Sequence, residues 1–313
     1  MMQAYQTAFL FPGQGSQYLG MGRELAAQYP EAREIFDRAD ERMGFSLSQM
    51  AWEGPLEALN DTVNTQPALM VHSIAALRVF QAQHPDFVPA FVAGHSMGEL
   101  SALVAASALP FEDALTLVRR RGELMKAAGQ VAPGGMAAVL GLDIPTLERI
   151  CAKAGAEDGT VQVANDNCPG QVVISGSGPA LERAMTLARE AGARRVQPLA
   201  VSIAAHSKLM EYAQNDFNQA VEAAPINNPA IPIVRNVSAR PMTTAEEIRS
   251  DLRAQLTSRV RWTESVQYMI DRGVTTFLEI GSGSVLIGLL KRIDRQAHGV
   301  PLGAPQDFEK VDG

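Results

Sequence analysis

The chain is poor in what marks secreted, metal-binding or nucleic-acid-binding proteins. Its only two cysteines, Cys151 and Cys168, offer neither a disulfide framework nor a metal-ligand spacing, which fits a reducing compartment. Positive charge is not in excess: the formal net charge of -7 argues against non-specific nucleic-acid binding. The N-terminus lacks a basic stretch followed by an apolar run, and no later segment is long enough to span a membrane. The expectation is therefore a cytoplasmic protein with no membrane or nucleic-acid partner, no metal and no cofactor. At 313 residues the chain exceeds the size usual for a single core, so one large unit with an inserted or appended subdomain is expected.

The most informative stretch is Phe91-Val-Ala-Gly-His-Ser-Met-Gly-Glu-Leu100. An apolar, strand-like run ends at Gly94, and Met97 to Ser107 is rich in helix formers, so Ser96 falls on a strand-to-helix turn between two glycines. That is the context of the GxSxG nucleophile elbow, in which a tight turn pushes the serine out of the sheet at a helix N-terminus. The bland alternative is a serine in a glycine-bounded turn.

Upstream, Thr7 to Phe11 reads as a short strand that breaks into Pro12-Gly-Gln-Gly-Ser-Gln17. No Lys-Ser/Thr pair follows and Tyr18 stands where a dinucleotide fingerprint needs its third glycine, so this is neither phosphate-binding motif. It is either a tight turn or a loop whose backbone N–H groups approach something anionic, which makes Gln14 a candidate oxyanion donor. Helical patterns follow from about Met21 to Arg42 and from Pro67 to Gln83, with Pro67 suited to a first helical position. His72 and His84, in or just after the second, read as surface or core histidines.

Phe111 to Ala128 reads as a helix whose register is informative. Leu117, Val118, Leu124 and Met125 flank Arg121 at i−4, i−3, i+3 and i+4, so that arginine projects from the apolar face, while Arg119 pairs outward with Glu123. An inward guanidinium needs an anion. Either an internal Asp or Glu supplies it, or a substrate carboxylate does.

From Gly134 the pattern becomes β-α-β-β-α-β: strands at Gly135 to Leu142, Thr160 to Asn165, Gln171 to Ser175 and Ala193 to Val201, with helices at Ile144 to Gly155 and Pro179 to Ala191. That order is the split, ferredoxin-like one and predicts a four-stranded antiparallel sheet. Asn165, Asn167 and Cys168-Pro169-Gly170 are assigned to the turn between its middle strands. The chain returns at Ala200 to Ser207, where His206 sits at a strand-to-helix junction and is the best-placed general base; His95, next to the serine, braces the turn because adjacent side chains diverge. Ile231 to Val237 is strand-like, and Thr244 to Glu247 forms a capping box opening a helix on which Gln255 falls in the apolar stripe with Leu252. Thr275 to Ile280 is a buried strand followed by a helix to about Arg292, and the polar residues after His298 are expected to be mobile.

A serine nucleophile, a histidine base, loop N–H donors, an inward arginine and an inward glutamine together make an acyl-transfer site with an anion clamp: Ser96 attacks, His206 takes its proton, Gln14 and Met97 N–H groups hold the oxyanion and Arg121 holds a distal carboxylate. The stretches FPGQGSQ (11–17), GHSMGE (94–99), RGELM (121–125), VANDNCPGQVVISG (163–176), AAHSKLM (204–210) and FLEIGSGSVLIGLLKRI (277–293) then resemble, in the family's order, the malonyl-CoA:acyl carrier protein transacylases of bacterial fatty-acid synthesis and, more broadly, the acyltransferase domains of polyketide synthases.

The resemblance implies an α/β-hydrolase-like subdomain with a parallel sheet (1–133 and 202–313) and an inserted ferredoxin-like subdomain (134–201). It implies a Ser96–His206 dyad with the imidazole oriented by a backbone carbonyl near Gln255, a malonyl carboxylate on Arg121, Asn165 among the substrate-binding residues, and ping-pong transfer from malonyl-CoA to the phosphopantetheine thiol of acyl carrier protein by a monomer. Lys208, Arg194, Arg195, Lys291 and Arg292 are candidates for a basic patch facing the acidic carrier. In place of the family's frequent Ser-Leu-Gly-Glu-Tyr this chain has Ser96-Met-Gly-Glu-Leu100, and Ala204-Ala205 precede His206 where malonyl-selective synthase modules carry Phe. Methylmalonyl, or another extender of polyketide synthesis, therefore stays open as substrate. An acyl hydrolase of the same fold is disfavoured because such relatives replace the clamp arginine.

Overall fold

Two β-sheets organise the chain in the computed structural model, which describes residues 3–310. In chain order the strands are β1 (Thr7–Phe11), β2 (Phe91–Gly94), β3 (Gly134–Leu140), β4 (Val161–Cys168), β5 (Gln171–Ser177), β6 (Arg195–Pro198), β7 (Ile233–Val234), β8 (Pro241–Met242), β9 (Val260–Arg261), β10 (Thr276–Ile280) and β11 (His298–Leu302). The larger sheet runs β11-β10-β1-β2-β7-β8. Its first five strands are parallel, and β8 closes the edge antiparallel to β7. The expected parallel sheet thus carries one antiparallel edge strand.

Period-two alternation explains why this sheet is covered on both faces. Phe9 and Phe11 of β1 enter one apolar layer with Val92, Ile233, Leu278 and Ile280, whereas Ala8 and Leu10 enter another with Ala93, Val234 and Phe277. A central parallel strand packed on both sides needs an unbroken apolar run, and all five residues of β1 are buried. The first layer is built by helices Thr62–Gln83, Gly98–Ala105 and Phe111–Val131, and the second by Trp262–Ile270 and Val285–Ile293.

The second sheet has its own core, Ala137, Val139, Val163, Val172 and Ile174 against Leu147, Cys151, Leu181 and Ala184 of helices Ile144–Asp158 and Gly178–Glu190. Asp143 caps the first of these through Thr146 N at 2.9 Å, with Pro145 beside it where a missing N–H costs nothing. The strand order is β6-β3-β5-β4-β9. The first four pair antiparallel, as expected, but β9 adds a fifth strand parallel to β4 through Asn165↔Val260 and Asp166↔Arg261, and so ties the insert to the larger unit.

Three local expectations are corrected. Helix Thr62–Gln83 begins five residues before Pro67, capped by Asp61, so Pro67 lies inside it. The carbonyl that proline cannot bond, that of Val63, lies 3.3 Å from Arg119 Nη1, which replaces the missing donor. Asn165 and Asn167 belong to β4, leaving Pro169 and Gly170 as the turn. Finally, the segment after His298 is β11, paired with β10 from Thr276↔His298 to Ile280↔Leu302, and Phe308 beyond it is buried. Among the described residues no helix is long and apolar enough to cross a membrane, and no cluster of His, Cys, Asp and Glu could hold a metal.

Candidate active site

The site forms where the carboxyl ends of β1, β2 and β7 meet the small sheet, the position at which parallel sheets expose loops and helix N-termini. Ser96 follows β2 at φ 53°, a left-handed conformation costing a non-glycine residue on the order of 1–3 kcal/mol. The surroundings enforce it. Ser96 N donates to Asn236 Oδ1 at 2.8 Å, Asn236 Nδ2 donates to Gly94 O at 2.7 Å, and Asn236 N donates to Glu99 Oε1 at 3.0 Å. Both glycines are required by packing: a Cβ on Gly94 would stand 2.0 Å from Gly98 C and O, and one on Gly98 would stand 2.3 Å from Phe11 O.

His206 reaches Ser96 from the turn that follows β6 and precedes the 3-10 helix Lys208–Met210, not from the expected strand end, and it also has a left-handed backbone, φ 57°. Its Nε2 lies 2.8 Å from Ser96 Oγ, and its Nδ1 lies 3.0 Å from Gln255 O and 3.1 Å from Ser258 O. Two carbonyls at Nδ1 can only accept, so Nδ1 carries the hydrogen and Nε2 accepts from the serine hydroxyl. Burial, then the Arg121 charge, then His95 pull the imidazole pKa down to about 3, which keeps it in the neutral form a base requires.

Arg121 is 1% exposed and approaches the same hydroxyl, Nη2 to Ser96 Oγ at 3.1 Å. Nε donates to Gln255 Oε1 at 3.2 Å and Nη1 to Gln66 Oε1 at 2.8 Å. Among the described residues no carboxylate forms an ion pair with it. Burial lowers its pKa to about 10, so it stays cationic at neutral pH. Of the two partners open to an inward arginine, the internal ion pair is therefore absent, and neutral amide oxygens hold the guanidinium instead.

Gln14, Thr62, His95, Ser96, Met97 and Arg121 line a cavity of about 200 Å³ together with Asn165, Asn167, Ala205 and His206. The Gln14 side chain accepts from Thr62 Oγ1 at 2.8 Å, while the backbone N–H groups of Gln14 and Met97 have no acceptor among the described residues. Asn165, in β4, and the apolar Met136, Val173, Leu199 and Ile203 form the far wall. His95 Nε2 lies 2.9 Å from Asn167 Oδ1 and its ring meets Trp262 edge-on, so it faces the insert. A second, outer cavity of about 620 Å³ shares Gln14, Thr62, Val201 and Ile203 with the first and adds Asp61, Lys126 and Gly134.

All seven residues singled out in the sequence (Gln14, Ser96, Met97, Arg121, Asn165, His206 and Gln255) thus meet at one place, Gln255 through its carbonyl and amide behind the wall. Sequence reasoning missed Gln66, Glu99 and Asn236. Gln66 shares the face of Leu69 and Met70, a signal obscured by taking Pro67 as the helix start; Asn236 left no local signal. Elsewhere, a cavity of about 520 Å³ beside Glu148, Lys208 and Arg259 contains Cys151, but burial pushes that thiol up to about 12, leaving no thiolate nucleophile there at neutral pH.

Comparison with known proteins agrees with this geometry. The family model described as an acyl transferase domain matches residues 8–303. The malonyl CoA-acyl carrier protein transacylase of Bacillus subtilis is 47% identical over 96% of this chain and 95% of its own length, and that of Haemophilus influenzae is 43% identical over 97% of each. Among solved structures, an acyl carrier protein S-malonyltransferase from Vibrio cholerae superimposes with a TM-score of 0.94 at 42% identity, covering 98% of this chain and 99% of that one. A malonyl-transacylase in complex with a type II PKS acyl-carrier protein gives 0.94 at 40% identity, covering 98% of each chain.

Proposed function

This chain belongs to the acyl transferase domain family, and we propose that it carries a malonyl group from malonyl-CoA to the phosphopantetheine thiol of acyl carrier protein through a malonyl-Ser96 intermediate. The observation that carries this reading is the pairing of Ser96 Oγ, 2.8 Å from a neutral imidazole, with a buried cationic guanidinium that forms no salt bridge to a carboxylate among the described residues.

In the first half-reaction Ser96 Oγ attacks the thioester carbonyl while its proton passes to His206 Nε2. The Nδ1–H bonds to Gln255 O and Ser258 O hold the ring and stabilise the imidazolium. Charge developing on the carbonyl oxygen meets the free N–H groups of Gln14 and Met97, donors worth about 3 kcal/mol each in comparable sites. Collapse expels the CoA thiolate, which recovers the proton from His206. In the second half-reaction the carrier's thiol gives its proton to His206 and attacks the acyl-serine, returning the hydroxyl to Ser96. The malonyl carboxylate lies on Arg121 throughout. It also offsets the guanidinium charge that depresses His206, so the substrate itself raises the basicity of the group that deprotonates the nucleophile.

The outer cavity, about 620 Å³ and sharing Gln14 and Thr62 with the inner one, supports entry of both CoA and carrier from that side. A core separate from the two apolar layers of the larger sheet supports treating 134–201 as a ferredoxin-like subdomain set into an α/β-hydrolase-like unit of 1–133 and 202–313. We place the protein in the cytoplasm as a monomer that meets its carrier in solution. Ala205 beside the base leaves room for a branched extender, and an apolar pocket separates substrates differing by one methyl by only about 1–3 kcal/mol, so methylmalonyl transfer is the second reading. The test supplies purified enzyme with malonyl-CoA and holo carrier protein: malonyl carrier should form much faster than free malonate, and equal rates would make the enzyme a hydrolase.

A further inference from the structure

Glu99 is the one acidic residue of the elbow helix Gly98–Ala105, and it is wholly buried. Nothing in the acyl-transfer chemistry uses it, yet its two oxygens contact both supports of the site. Oε1 accepts from Asn236 N at 3.0 Å, and Asn236 in turn holds Ser96 N. Oε2 accepts from Gln255 Nε2, which also donates to Ser96 O at 3.3 Å. The other end of that amide, Gln255 Oε1, accepts from Arg121 Nε.

We propose that Glu99 is a positioning residue: by taking the amide hydrogens of Gln255 it fixes Oε1 toward Arg121 and so aims the guanidinium at the substrate carboxylate. Rotating the amide by half a turn would set its NH2 against Arg121 Nε–H and its oxygen against Glu99 Oε2 and Ser96 O, one donor–donor and two acceptor–acceptor conflicts in a buried site. Only one orientation satisfies every group, and Glu99 and Ser96 O select it.

Three charged groups surround Glu99. Asp251 faces it, buried and near the backbone N–H of Val237. Arg121 is close enough to interact with its charge, and Arg235 lies near Asp251. Burial first, and Asp251 second, raise the Glu99 pKa well above the ordinary carboxylate range, while the hydrogen bonds from Gln255 and Asn236 act the other way.

The inference rests on Arg121 being the malonyl clamp, and the experiment separates the two. Specificity constants for malonyl-CoA and acetyl-CoA are compared in wild type, Glu99→Gln, Gln255→Leu, the double variant and Arg121→Ala. In Glu99→Gln the fixed Asn236 N–H claims the new amide oxygen, which leaves the new NH2 facing Gln255 Nε2 and forces that amide to turn its donors onto Arg121. The malonyl-to-acetyl ratio should fall about tenfold in each single variant, with no further fall in the double variant. A ratio unchanged in Glu99→Gln, or falls that multiply in the double variant, would overturn the proposal. If Arg121→Ala shifts the ratio and Glu99→Gln does not, only the Glu99 role fails; if Arg121→Ala leaves it unchanged, the clamp itself fails. Should Glu99→Gln not fold, the Gln255 side-chain amide of the 15N-labelled wild type, assigned by its disappearance in Gln255→Leu, decides. Slow hydrogen exchange at that amide supports the proposal and free exchange refutes it.

Discussion

Removing the Asn236 side chain tests how the nucleophile is held. In Asn236→Ala two short buried hydrogen bonds disappear, at 2.8 Å to Ser96 N and 2.7 Å to Gly94 O, leaving a donor and an acceptor stranded beneath the elbow. Each unsatisfied group costs about 1–3 kcal/mol, or about 2–6 kcal/mol together. Part of that is returned because Ser96, held at φ 53°, relaxes and releases about 1–3 kcal/mol of backbone strain. The net expectation is a loss of about 1–3 kcal/mol in unfolding free energy. The same relaxation moves Oγ away from His206 Nε2, and a displacement of about 1 Å lowers reaction rates on the order of a hundredfold. Urea unfolding gives the first number and single-turnover acylation by malonyl-CoA the second. A variant that loses stability but acylates at the wild-type rate would refute the view that Asn236 sets the nucleophile geometry.

Three further outcomes follow from the same contacts. Arg121→Ala should lower malonyl kcat/KM by about 2–5 kcal/mol, or about 30- to 5,000-fold, with a much smaller effect on acetyl, because only malonyl loses a buried charge pair; equal losses would contradict the clamp. The same substitution removes a cation that depresses His206, whose pKa is about 3, so the acid limb of acetyl kcat/KM should move upward toward the ordinary histidine value of about 6.5. Activity at pH 5 should then fall relative to pH 8 in the variant and not in wild type, and superimposable profiles would refute the coupling. Gly98→Ala should destabilise the protein by about 3 kcal/mol or more in thermal or urea unfolding, since its methyl would stand 2.3 Å from Phe11 O and 2.8 Å from Pro12 O of the central strand's exit; near-wild-type stability would mean that the elbow yields freely.

How much of this was legible in the sequence depended on whether the information was local. Strand β1, the elbow and the helix register of Arg121 follow from apolar periodicity and steric need within a few residues, and the structure has each of them. The order of elements in the insert was equally readable, because each carries its own period and the first helix its own cap. What escaped was set by contacts far apart in sequence. Asn236 acts on Ser96 and Gly94 about 140 residues away, and β9 is two residues long, defined only by its partner β4. Strand β11 is rich in Gly and Pro and looks like a tail until β10 supplies its hydrogen-bond partners. Gln66 was hidden by a sound rule misapplied: Pro67 is tolerated within the helix because Arg119 serves the carbonyl that proline leaves free. The unclaimed charge of Arg121 was undecidable from pattern, since helix register gives direction but not the identity of the partner.

The most direct measurement is the mass of the enzyme after brief exposure to malonyl-CoA without carrier protein, followed by peptide mapping. One malonyl group on Ser96, discharged when holo carrier protein is added, is the predicted result. An unmodified Ser96 in enzyme that still transfers malonyl, or a label on any other residue, would contradict the covalent mechanism.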